Sequence, residues 1–575
     1  MKKGRSFFHL LRLNNEVGEM MATKYLFVVG GVMSGVGKGV AAASIGTILK
    51  SKGFKVTAVK ADPYINLDAG TMNPTEHGEV YVTLDGDETD QDMGNYERFL
   101  GEDLYRTNYM TTGRVYQSVI NRERNLEYEG RCVQVVPHIP EEIINRIKTA
   151  GKNVKADFVI TEIGGTVGEY ENILFLEAIR MLKMKNPRDV AIVLVSYLPI
   201  PYHVGEMKTK PTQMASRLLN SAGLQADFIL CRGEAPIDDR RREKLATFCN
   251  IAPENAVSAP DVKSIYEIPV NFEKEELGNK ILKCFGMKKR PSDLKKWEAL
   301  AVKARNGKDH KVKIGIVGKY FSSGDYVLSD SYISVIESVK HAAWSQDMSA
   351  EIIWLSSDHY EEHPEKLKEL KEYDGIVVPG GFGTRGVEGK ILTASYCRKN
   401  NIPYLGLCYG MQIATIAFAR DVAKMKGAHT EEIDPKSPYP VIHLMKDQVK
   451  KMIDKDYGNT MRLGGYECLL TPGTQTFELY NKLKPHYFEK RKDGAYIVER
   501  HRHRFEFNND YREELEKNGL VVAGINPEQD LVEIIEIPGH PFYVGSQFHP
   551  ELQSRPLEPH PLFVGLIKAA AKKHG

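Results

Sequence analysis

Short apolar runs alternate along the chain with longer segments in which apolar residues recur every three or four positions. The runs TKYLFVVGG (23–31), ADFVITEIGG (156–165) and DVAIVLVSYLP (189–199) are almost continuously apolar and rich in β-branched residues. Such runs are typical of parallel strands that are buried on both faces. Their alternation with helical segments predicts an α/β fold with parallel sheets and right-handed crossovers.

A change of pattern divides the chain into two parts. The segment 288–311 is rich in lysine, contains Pro291 and Gly307, and lacks an apolar strand, which indicates a partly helical linker. A second alternation of apolar runs and helical segments begins after it with VKIGIVGKY. We therefore predict two doubly wound parallel-sheet domains, with the bounds 23–287 and 312–575.

The first 22 residues precede this pattern. They begin with basic residues and contain only a short apolar stretch, which two asparagines and a glutamate interrupt. No small-residue cleavage site follows, so a signal peptide is the weaker interpretation. We predict that residues 1–22 form a weakly ordered extension, with a start at Met20 or Met21 as the alternative.

Charge and cysteine content exclude several classes of protein. The chain has 78 Lys plus Arg and 76 Asp plus Glu, a formal net charge of +2, so neither nucleic acid nor an anionic membrane is a predicted partner. No apolar run reaches the roughly 18–20 residues of a membrane span. The seven cysteines are widely spaced without a CxxC pair, which predicts free thiols in the cytoplasm rather than disulfides or a zinc site.

A glycine-rich segment after the first apolar run suits phosphate binding. It reads GGVMSGVGKG over residues 30–39 and leads into a helical segment. Backbone N–H groups in such a turn bind phosphate oxygens, and Lys38 would neutralise the β- and γ-phosphates. The segment differs from a Walker A loop, because five residues separate Gly31 from Gly37 and Gly39 stands where Ser or Thr usually binds Mg²⁺. A glycine turn without a ligand is the alternative interpretation.

If Mg²⁺ accompanies the phosphates, nearby carboxylates must supply its oxygen ligands. Glu162 stands at the end of a buried run, where ligands of open α/β sheets usually bind. The acidic segment DGDETDQDMGNYERF is a second source, although by itself it is more typical of a solvated loop. Its candidate carboxylates are Asp85, Asp87, Glu88, Asp90 and Asp92.

A cysteine between two glycines marks a second candidate site. In YLGLCYGMQ an apolar run leads into a helical segment through Cys408. Gly406 and Gly410 stand at the positions that a sharp strand-to-helix turn needs free of side chains. A thiol at a helix N-terminus has a lowered pKa, so this position favours a nucleophilic thiolate.

Two further segments complete this site. QFHPE supplies His549 as a base and Glu551 to orient it. The backbone N–H groups of PGGFG (379–383) would form an oxyanion hole. An inert buried cysteine and a structural histidine are the alternatives, but the combination in this order predicts nucleophilic cysteine chemistry.

The C-terminal half resembles class I (triad) glutamine amidotransferase domains, and the N-terminal half resembles the synthetase domain of CTP synthases. The chain is identified as a member of the CTP synthase family, which shares both departures from Walker A. The resemblance implies a P-loop, dethiobiotin-synthetase-like domain followed by a class I glutaminase domain. The segments that carry it are GGVMSGVGKGVAAAS, KADPYINLDAGTMNPTEHGEVYV, DGDETDQDMGNYERF, EIGGTVGEYEN, GEMKTKPTQ, PGGFGTRGVEG, LGLCYGMQ, ERHRHRFE and QFHPE.

The resemblance implies roles for residues of the first domain. ATP would be bound by Ser34, Gly35, Val36, Gly37, Lys38, Gly39, Val40, Lys60 and Asp92. Mg²⁺ would be bound by Asp92 and Glu162. UTP, and CTP as feedback inhibitor, would be bound by Ser34, Glu169, Tyr170, Glu171, Lys208, Lys210, Gln213, Lys244 and Phe248. Lysines and a glutamine near a helix start suit a triphosphate.

In the second domain the resemblance implies Cys408 as nucleophile, His549 as base and Glu551 as its orienter. It also implies that His77 lines an internal ammonia passage and that the loop GNTMRLGG (458–465), with Arg462, is a candidate contact for GTP, the allosteric activator of the family. Glutamine would be bound by Gly381, Tyr409, Gly410, Met411, Gln412, Arg504 and Glu432, with Glu431 as an alternative to Glu432.

The reaction that the resemblance implies is the amination of UTP at C4. ATP would phosphorylate O4, and ammonia released from glutamine would cross an internal tunnel and displace the phosphate. Homotetramers with UTP sites at subunit interfaces are expected, and filament formation is left open. Two alternatives are a cobyrinic acid amide synthase, which would not need the triphosphate-binding KTKPTQ segment, and a non-catalytic scaffold, which would not need every catalytic residue type.

Overall fold

The computed structural model describes residues 22–73, 77–203, 205–307, 310–319, 322–323, 326–327, 329–381, 383–444 and 461–574. The predicted extension 1–22 therefore lies outside the described residues, except for its last position. No helix in these ranges is long and apolar enough to cross a membrane.

The first part of the chain forms a parallel sheet covered by helices. Its strands are β1 (Lys24–Gly31), β2 (Val56–Asp62), β3 (Tyr81–Val82), β4 (Glu88–Thr89), β5 (Tyr109–Thr111), β6 (Phe158–Ile163), β7 (Val190–Tyr197), β8 (Phe228–Gly233) and β9 (Ala256–Pro260). Seven of them form one parallel sheet in the order β5-β2-β6-β1-β7-β8-β9, and β3 pairs separately with β4. The α-helices of this part are Lys38–Ser51, Asp92–Leu100, Thr112–Arg124, Val135–Val154, Ile173–Lys185, Lys210–Ser221, Asp239–Cys249, Ile268–Lys274 and Leu277–Cys284.

The central strand β1 is buried on both faces. Leu26 and Val28 pack into the helical layer on one side of the sheet, and Phe27 and Val29 pack into the layer on the other side. This burial accounts for the continuous apolar runs in the sequence. Because β1 lies between β6 and β7, the loops that follow these three strands meet at one edge of the sheet.

The second part of the chain contains a larger, mixed sheet. The strands of this part of the chain are β10 (Lys311–Gly318), β11 (Ser322–Ser323), β12 (Tyr326–Val327), β13 (Ser349–Ser356), β14 (Gly375–Val378), β15 (Tyr404–Leu407), β16 (Ala428–Thr430), β17 (Tyr439–Leu444), β18 (Arg462–Leu470), β19 (Phe488–Arg491), β20 (Gly494–His503), β21 (Phe505–Phe507), β22 (Val521–Asn526), β23 (Leu531–Glu536) and β24 (Tyr543–Ser546). The main sheet has ten strands in the order β13-β10-β14-β15-β24-β23-β22-β18-β20-β19. Its α-helices are Ile333–Ser345, Ser357–Glu362, Val387–Lys399, Tyr409–Asp421, Gln475–Leu483, Arg512–Lys517 and Pro561–Ala571.

Only half of this second sheet is parallel. The strands from β13 to β24 pair in parallel, and those from β24 to β19 pair antiparallel. The predicted α/β class with a parallel sheet in each part is confirmed. The antiparallel half extends the second sheet beyond what the apolar runs predict.

The segment between the two sheets is partly helical, as expected for the predicted linker. Its helix Lys295–Asn306 packs against the first part of the chain through Trp297 and Leu300, which belong to the same apolar core as Phe99. The rings of Trp297 and Phe99 lie 5.1 Å apart. The linker is thereby fixed to the first domain, while the exact domain bounds stay a prediction.

Candidate active sites

The glycine-rich loop connects β1 to the helix Lys38–Ser51. Gly35 and Gly37 have φ angles of 69° and 89°, a region that side chains with a Cβ disfavour. Lys38 is buried, and its ammonium group donates to the carbonyl of Gly165, in the loop after β6, at 2.9 Å. Ser34 is exposed at the tip of the loop. The loop therefore has the shape and the cation that phosphate binding requires.

Lys60 lies among carboxylates at the ends of β2 and β6. Its ammonium group bonds to Asp92 and lies 3.0 Å from Oε1 of Glu162, its neighbour across the two strands. Oδ1 of Asp62 lies 3.7 Å away. Burial lowers the pKa of Lys60, but the surrounding carboxylates, Asp92 first, raise it well above its usual value. Lys60 is therefore a buried positive charge beside the phosphate loop.

Gly39 explains one departure from the Walker A pattern. A Cβ at this position would lie 2.1 Å from Oδ1 of Asp92. The Ser or Thr of a Walker A loop would therefore collide with the carboxylate that begins the helix Asp92–Leu100. In this chain a carboxylate from another segment occupies the space that the hydroxyl side chain occupies elsewhere.

The carboxylates around Lys60 fit Mg²⁺ bound together with phosphate. Asp92 and Glu162 offer two carboxylates, and the buried Oδ2 of Asp62 accepts no hydrogen bond from the residues that the structure describes. Within the described ranges, no group of three or more His, Cys, Asp and Glu side chains is arranged to hold a metal alone. Mg²⁺ commonly uses one or two carboxylates and takes its remaining ligands from phosphates and water. The site therefore suits a metal–nucleotide complex rather than a free ion.

The residues predicted to bind UTP and CTP lie on four segments that follow the neighbouring strands β6, β1, β7 and β8. Glu169 accepts a hydrogen bond from the backbone of Thr166 at 2.8 Å, which closes the loop after β6. Gln213 is buried in the helix Lys210–Ser221 and donates to Thr209 Oγ1 at 3.1 Å. The exposed members of the set are Ser34, Glu169, Tyr170, Glu171, Lys210, Lys244 and Phe248.

Arg241 connects two of these segments. From the helix Asp239–Cys249 it donates to the carbonyl of Met207 at 3.2 Å and pairs with Glu206 at 2.9 Å. Glu206 also pairs with Lys208 at 2.9 Å. Arg241 thereby fixes the helix that carries Lys244 and Phe248 against the lysine-rich loop, a role that no motif in the sequence indicated.

A second group that the sequence analysis missed surrounds a cavity of about 230 Å³ beside the phosphate loop. Gly37 and Val40 line the cavity, and so do Arg232 and Asp261, which pair at 2.9 Å. Arg232 stands near the end of β8, and Asp261 directly follows β9. Their positions at carboxyl ends of strands were the available signal. The other lining residues are Ala41, Ala259, Pro260, Val262, Ile265, Ile268, Asn271 and Phe272.

Cys408 lies at a sharp turn between β15 and the helix Tyr409–Asp421. Its φ and ψ angles are 50° and −100°, an uncommon conformation for a residue with a side chain. A Cβ at Gly406 would lie 2.6 Å from the backbone of Gly410, and a Cβ at Gly410 would lie 2.1 Å from the carbonyl of Val378. Both glycines are therefore sterically required, as the sequence analysis predicted.

His549 and Glu551 lie in the same cavity as Cys408. Nδ1 of His549 lies 2.7 Å from Oε1 of Glu551, and Nε2 accepts no hydrogen bond in the described residues. Burial lowers the pKa of His549, but Glu551 and then Cys408 raise it well above its usual value. A protonated His549 beside Cys408 is positioned to donate a proton to a group bound at the sulfur.

Two buried lysines that the sequence analysis missed hold the glycine loop after β14. Lys390 donates to the carbonyl of Pro379 at 3.3 Å, and Lys319 donates to the carbonyl of Gly383 at 2.6 Å. Their ammonium groups lie 5.6 Å and 5.3 Å from the centre of the Tyr409 ring. Burial, then Lys319, lowers the pKa of Lys390 to about 7. Lys390 lies within a helical segment and Lys319 directly follows β10, and neither position by itself indicated these contacts.

The two glutamates considered for glutamine binding have different surroundings. Oε2 of Glu431 accepts a hydrogen bond from the backbone of Leu444 at 2.9 Å, which is a structural contact. Oε1 of Glu432 accepts one from the backbone of Gly383 at 3.3 Å. Burial raises the pKa of Glu432, while Lys319 and Arg504 oppose this rise. These surroundings favour Glu432 for an ammonium ligand.

The other residues predicted to bind glutamine lie around the same turn. Gly381, Arg504 and Cys408 line one cavity. Gln412 is buried and donates to the carbonyl of Phe505 at 2.8 Å, so its amide is fixed. Tyr409, Gly410 and Met411 are buried in the first turn of the helix that follows Cys408.

The strand β20 connects the second domain with the first through arginines at alternate positions. Arg500 is fully buried and donates to the hydroxyl of Tyr81 at 3.1 Å and to Glu97 at 3.2 Å. Arg502 pairs with Glu88 at 2.7 Å, and Arg504 follows just past the end of the strand. Successive side chains of a strand point to opposite faces, so these arginines share one face.

The histidines between these arginines point to the other face of β20. Nε2 of His501 lies 2.7 Å from Glu533, and His503 lies 3.4 Å from Glu506. Arg462 belongs to this buried cluster, because it pairs with Glu533 at 2.7 Å. That pairing favours a structural role for Arg462 in the described conformation over the predicted contact with GTP. Residues 458–460 of the same predicted loop lie outside the described ranges.

The cavity of about 300 Å³ that contains Cys408 lies between the two domains. Its wall on the side of the first domain consists of Gly70, Thr71, Met72, Glu79 and Val80. His77 is not among its described lining residues; it is exposed, with its ring 5.3 Å from that of Tyr64. Residues 74–76 lie outside the described ranges, so the predicted role of His77 in an ammonia passage stays a prediction.

Comparisons with known proteins cover almost the whole chain. Residues 24–287 match the family model described as CTP synthase N-terminus, and residues 327–569 match the model described as glutamine amidotransferase class-I. A CTP synthase of Pyrococcus abyssi is 48% identical over 95% of this chain and 98% of its own length. A CTP synthase of Chloroflexus aurantiacus is 49% identical over 96% of this chain and 97% of its own length. A solved glutaminase domain of Trypanosoma brucei CTPS with bound acivicin is 35% identical, with a TM-score of 0.40, and the match covers 45% of this chain and 94% of that domain.

Proposed function

Because the chain belongs to the CTP synthase family, we propose that it converts UTP to CTP with ATP and with ammonia released from glutamine. The observation that carries the proposal is the cavity between the domains. It contains the Cys408–His549–Glu551 arrangement and is bounded on its other side by the domain that carries the phosphate loop. A glutaminase that opens toward a nucleotide-binding domain suits the transfer of ammonia between them.

The glutaminase step uses the thiolate of Cys408. The thiolate attacks the side-chain amide carbon of glutamine, and Nε2 of His549 gives its proton to the departing ammonia. Water then hydrolyses the thioester with His549 as base. Backbone N–H groups of Gly381 and Tyr409 would bind the developing oxyanion, and Glu432 and Arg504 would bind the charged ends of glutamine.

The phosphoryl step takes place at the loop after β1. Lys38 and Lys60 neutralise the phosphate oxygens and orient the γ-phosphate toward O4 of UTP. Asp92 and Glu162 would hold Mg²⁺, which supplies further charge neutralisation when bound. The cavity beside Gly37 and Val40 has apolar walls and suits the nucleoside part of ATP. Phosphorylation of O4 makes it a good leaving group for the attack of ammonia at C4.

The residues predicted for UTP define a triphosphate site at the edge of the first domain. Lys208, Lys210, Gln213 and Lys244 would bind the triphosphate, and the same residues would bind CTP as inhibitor. The loop Glu169–Glu171 and Phe248 would contact the cytosine of CTP. We also propose that GTP activates the enzyme, without assigning its contacts. A cytoplasmic location is likewise part of the proposal.

A homotetramer is part of the proposal. Large apolar side chains are exposed beside the UTP residues, with Tyr170 at 91% and Phe248 at 53% exposure. Met214 and Leu218, on the helix that begins at Lys210, are also exposed. Such a patch supports a contact between subunits at the nucleotide site. Sedimentation with and without UTP and ATP would measure the oligomeric state, and electron microscopy would detect filaments.

The first experiment measures CTP formation from UTP, ATP and Mg²⁺ with either glutamine or ammonium. The wild type is expected to use both donors, and Cys408→Ala is expected to use only ammonium. Cys397→Ala is the matched control, because Cys397 is a buried free thiol of the same domain away from the site. If neither the wild type nor the variant makes CTP from ammonium, the proposed function is wrong. If Cys408→Ala still uses glutamine, another nucleophile is responsible.

A further inference from the structure

A carboxylate stands in the wall of the cavity between the domains. Glu79 and Glu551 are the two acidic residues among its described lining residues. Glu551 is paired with His549. Glu79 is the remaining carboxylate, and it belongs to the wall that the first domain forms. A passage for neutral ammonia would be expected to have apolar or neutral walls, so an acidic group there requires an explanation.

Hydrogen bonds from the second domain fix one oxygen of this carboxylate. Oε2 of Glu79 accepts from the backbone N–H of Ser334 at 3.2 Å and from its hydroxyl group. The same hydroxyl oxygen accepts from Nη1 of Arg98 at 3.2 Å, so its own hydrogen points to Glu79. Among the described residues, Oε1 of Glu79 accepts no hydrogen bond. The carboxylate is therefore held in place with one oxygen available.

The surroundings make Glu79 a base of moderate strength. Burial raises its pKa to about 7, the hydrogen bonds from Ser334 oppose this rise, and Glu551 adds to it. Arg98, from the helix Asp92–Leu100, lowers the pKa slightly. Besides Glu79 and Glu551, the titratable or charged groups among the described lining residues are Tyr332, Cys408, Arg502, Arg504 and His549. A carboxyl group of this kind can accept and return a proton near neutral pH.

We propose that Glu79 accepts a proton from ammonium in the cavity, so that ammonia rather than ammonium leaves it toward UTP. The inference rests on the proposed function. In this step an N–H bond of ammonium breaks, and its electron pair stays on nitrogen as the lone pair that later attacks C4. An O–H bond forms on the carboxylate, and Glu79 then returns the proton to water in the cavity.

The step has a specific consequence for the pH dependence of the ammonium-supported reaction. The rate of proton transfer from ammonium to the carboxylate depends on the concentration of ammonium multiplied by the fraction of Glu79 that is ionised. Above the pKa of Glu79, and while ammonium predominates, this product is nearly constant. Without the carboxylate, the rate depends on free ammonia alone, which rises about tenfold per pH unit while ammonium predominates. The slope of the rate against pH therefore distinguishes the two routes.

The experiment compares Glu79→Gln with its parent in a Cys408→Ala background. Ammonium-supported CTP formation is measured from about pH 7 to pH 8.5 at fixed total ammonium. The parent is expected to show a nearly flat profile, and the variant a profile that rises about tenfold per pH unit and meets the parent at the alkaline end. Superimposable profiles would overturn the inference. Absence of CTP formation in the parent would instead overturn the proposed function.

Ser334→Ala provides a second variant that keeps the carboxylate. It removes the hydroxyl donor to Glu79 but not the backbone donor, so the pKa of Glu79 should rise. The ammonium-supported profile should then stay flat at high pH and fall at a higher pH than in the parent. A steep profile like that of Glu79→Gln would show that loss of structure at the domain junction, rather than loss of the base, causes the effect.

Discussion

At the scale of single residues, Gly39 leaves space for a side chain from another segment. The space that a Walker A side chain would fill is taken by the carboxylate of Asp92, at 2.1 Å from an added Cβ. The backbone conformation at Gly39 is helical, so the restriction comes from this contact alone. The loop and the carboxylate therefore have to be considered as one unit.

Gly39→Ser is expected to displace Asp92 and to lower ammonium-supported CTP formation about 10- to 100-fold, because small displacements of catalytic groups have effects of this size. The measurement is CTP formation at saturating UTP with ATP and Mg²⁺ varied. Glutamate release from glutamine, measured on the same samples, controls for folding of the second domain. A rate close to that of the wild type would contradict the steric account.

The sequence predicts the residues of the glutaminase site better than their supports. Cys408, His549 and Glu551 stand in short motifs whose chemistry depends on residue type and local spacing, and the structure brings all three into one cavity. Lys319 and Lys390 act through carbonyl groups of the loop 379–383, which is 64 residues from Lys319 and 11 residues from Lys390 along the chain, measured between bonded residues. No local pattern encodes such contacts, so only the fold reveals them.

At the scale of elements, the helix Asp239–Cys249 and the lysine-rich loop before Lys210 behave as one unit. Arg241 joins them through the carbonyl of Met207 and the carboxylate of Glu206. Lys208, Lys210 and Lys244, the lysines proposed to bind UTP, are expected to keep their geometry only while this link holds. The Arg241 side chain is largely buried, so its ion pair with Glu206 is partly protected from screening by solvent.

Arg241→Met is expected to raise the KM for UTP about fivefold and to leave the KM for ATP nearly unchanged, since one or two hydrogen bonds that order the loop are lost. Arg180→Met is the matched control, because Arg180 pairs with Glu177 on a different helix at 2.7 Å. Steady-state kinetics with each nucleotide varied measures both constants. Equal changes in the two KM values would indicate a general loss of structure instead.

The apolar runs predict the parallel strands but not the antiparallel half of the second sheet. The parallel strands are buried on both faces and read as continuous apolar segments. The strand β20 instead buries Glu499, Arg500 and His501, which are fully enclosed. In a sequence, charged residues that are paired in the interior look the same as charged residues on the surface. The apolar pattern therefore does not predict strands that bury them, such as β20.

At the scale of the whole molecule, a buried ion cluster joins the domains. Arg500 and Arg555 both contact Glu97 and Asp103, and all four side chains are largely or fully enclosed. Removal of one member of such a cluster leaves a buried charge without full compensation. The cluster is therefore expected to control whether the two domains unfold together.

Arg500→Met is expected to destabilise the junction by about 3–5 kcal/mol and to separate thermal unfolding into two transitions. Arg491→Met is the control, because Arg491 forms comparable ion pairs with Glu467 and Glu489 on the surface. Differential scanning calorimetry at neutral pH measures both. A single transition with an unchanged midpoint in Arg500→Met would contradict the role of the cluster.

The same junction should respond to alkaline pH through His486. It lies 3.6 Å from Asp103 and 3.1 Å from Glu558, and its interactions with these carboxylates, Asp103 first, raise its pKa from 6.5 to about 9. Since the folded pKa exceeds the unfolded one, the contribution to stability is fully present below pH 6.5 and is lost as the pH rises through about 9. Because His486 is nearly half exposed, the contribution is at most about 1 kcal/mol.

The difference in melting temperature between the wild type and His486→Gln should therefore be largest at pH 6.5 and below, and should disappear above about pH 9.5. His363→Gln is the control, because His363 has a single exposed carboxylate nearby at 3.6 Å. Thermal unfolding across this pH range measures the difference. A difference that is constant with pH would indicate that the charge of His486 has no part in the stability of the junction.

Arginines point to one face of β20 and histidines to the other, and this alternation limits which changes in the length of the strand can be accepted during evolution. Insertion of one residue before Arg502 would exchange the two faces, bringing histidines to the domain junction and arginines toward Glu533. Insertion of two residues would restore the faces and displace the strand by about 7 Å. Natural variants of this strand are therefore expected to differ in length by even numbers of residues, with matching changes in the segment of the first domain that it contacts.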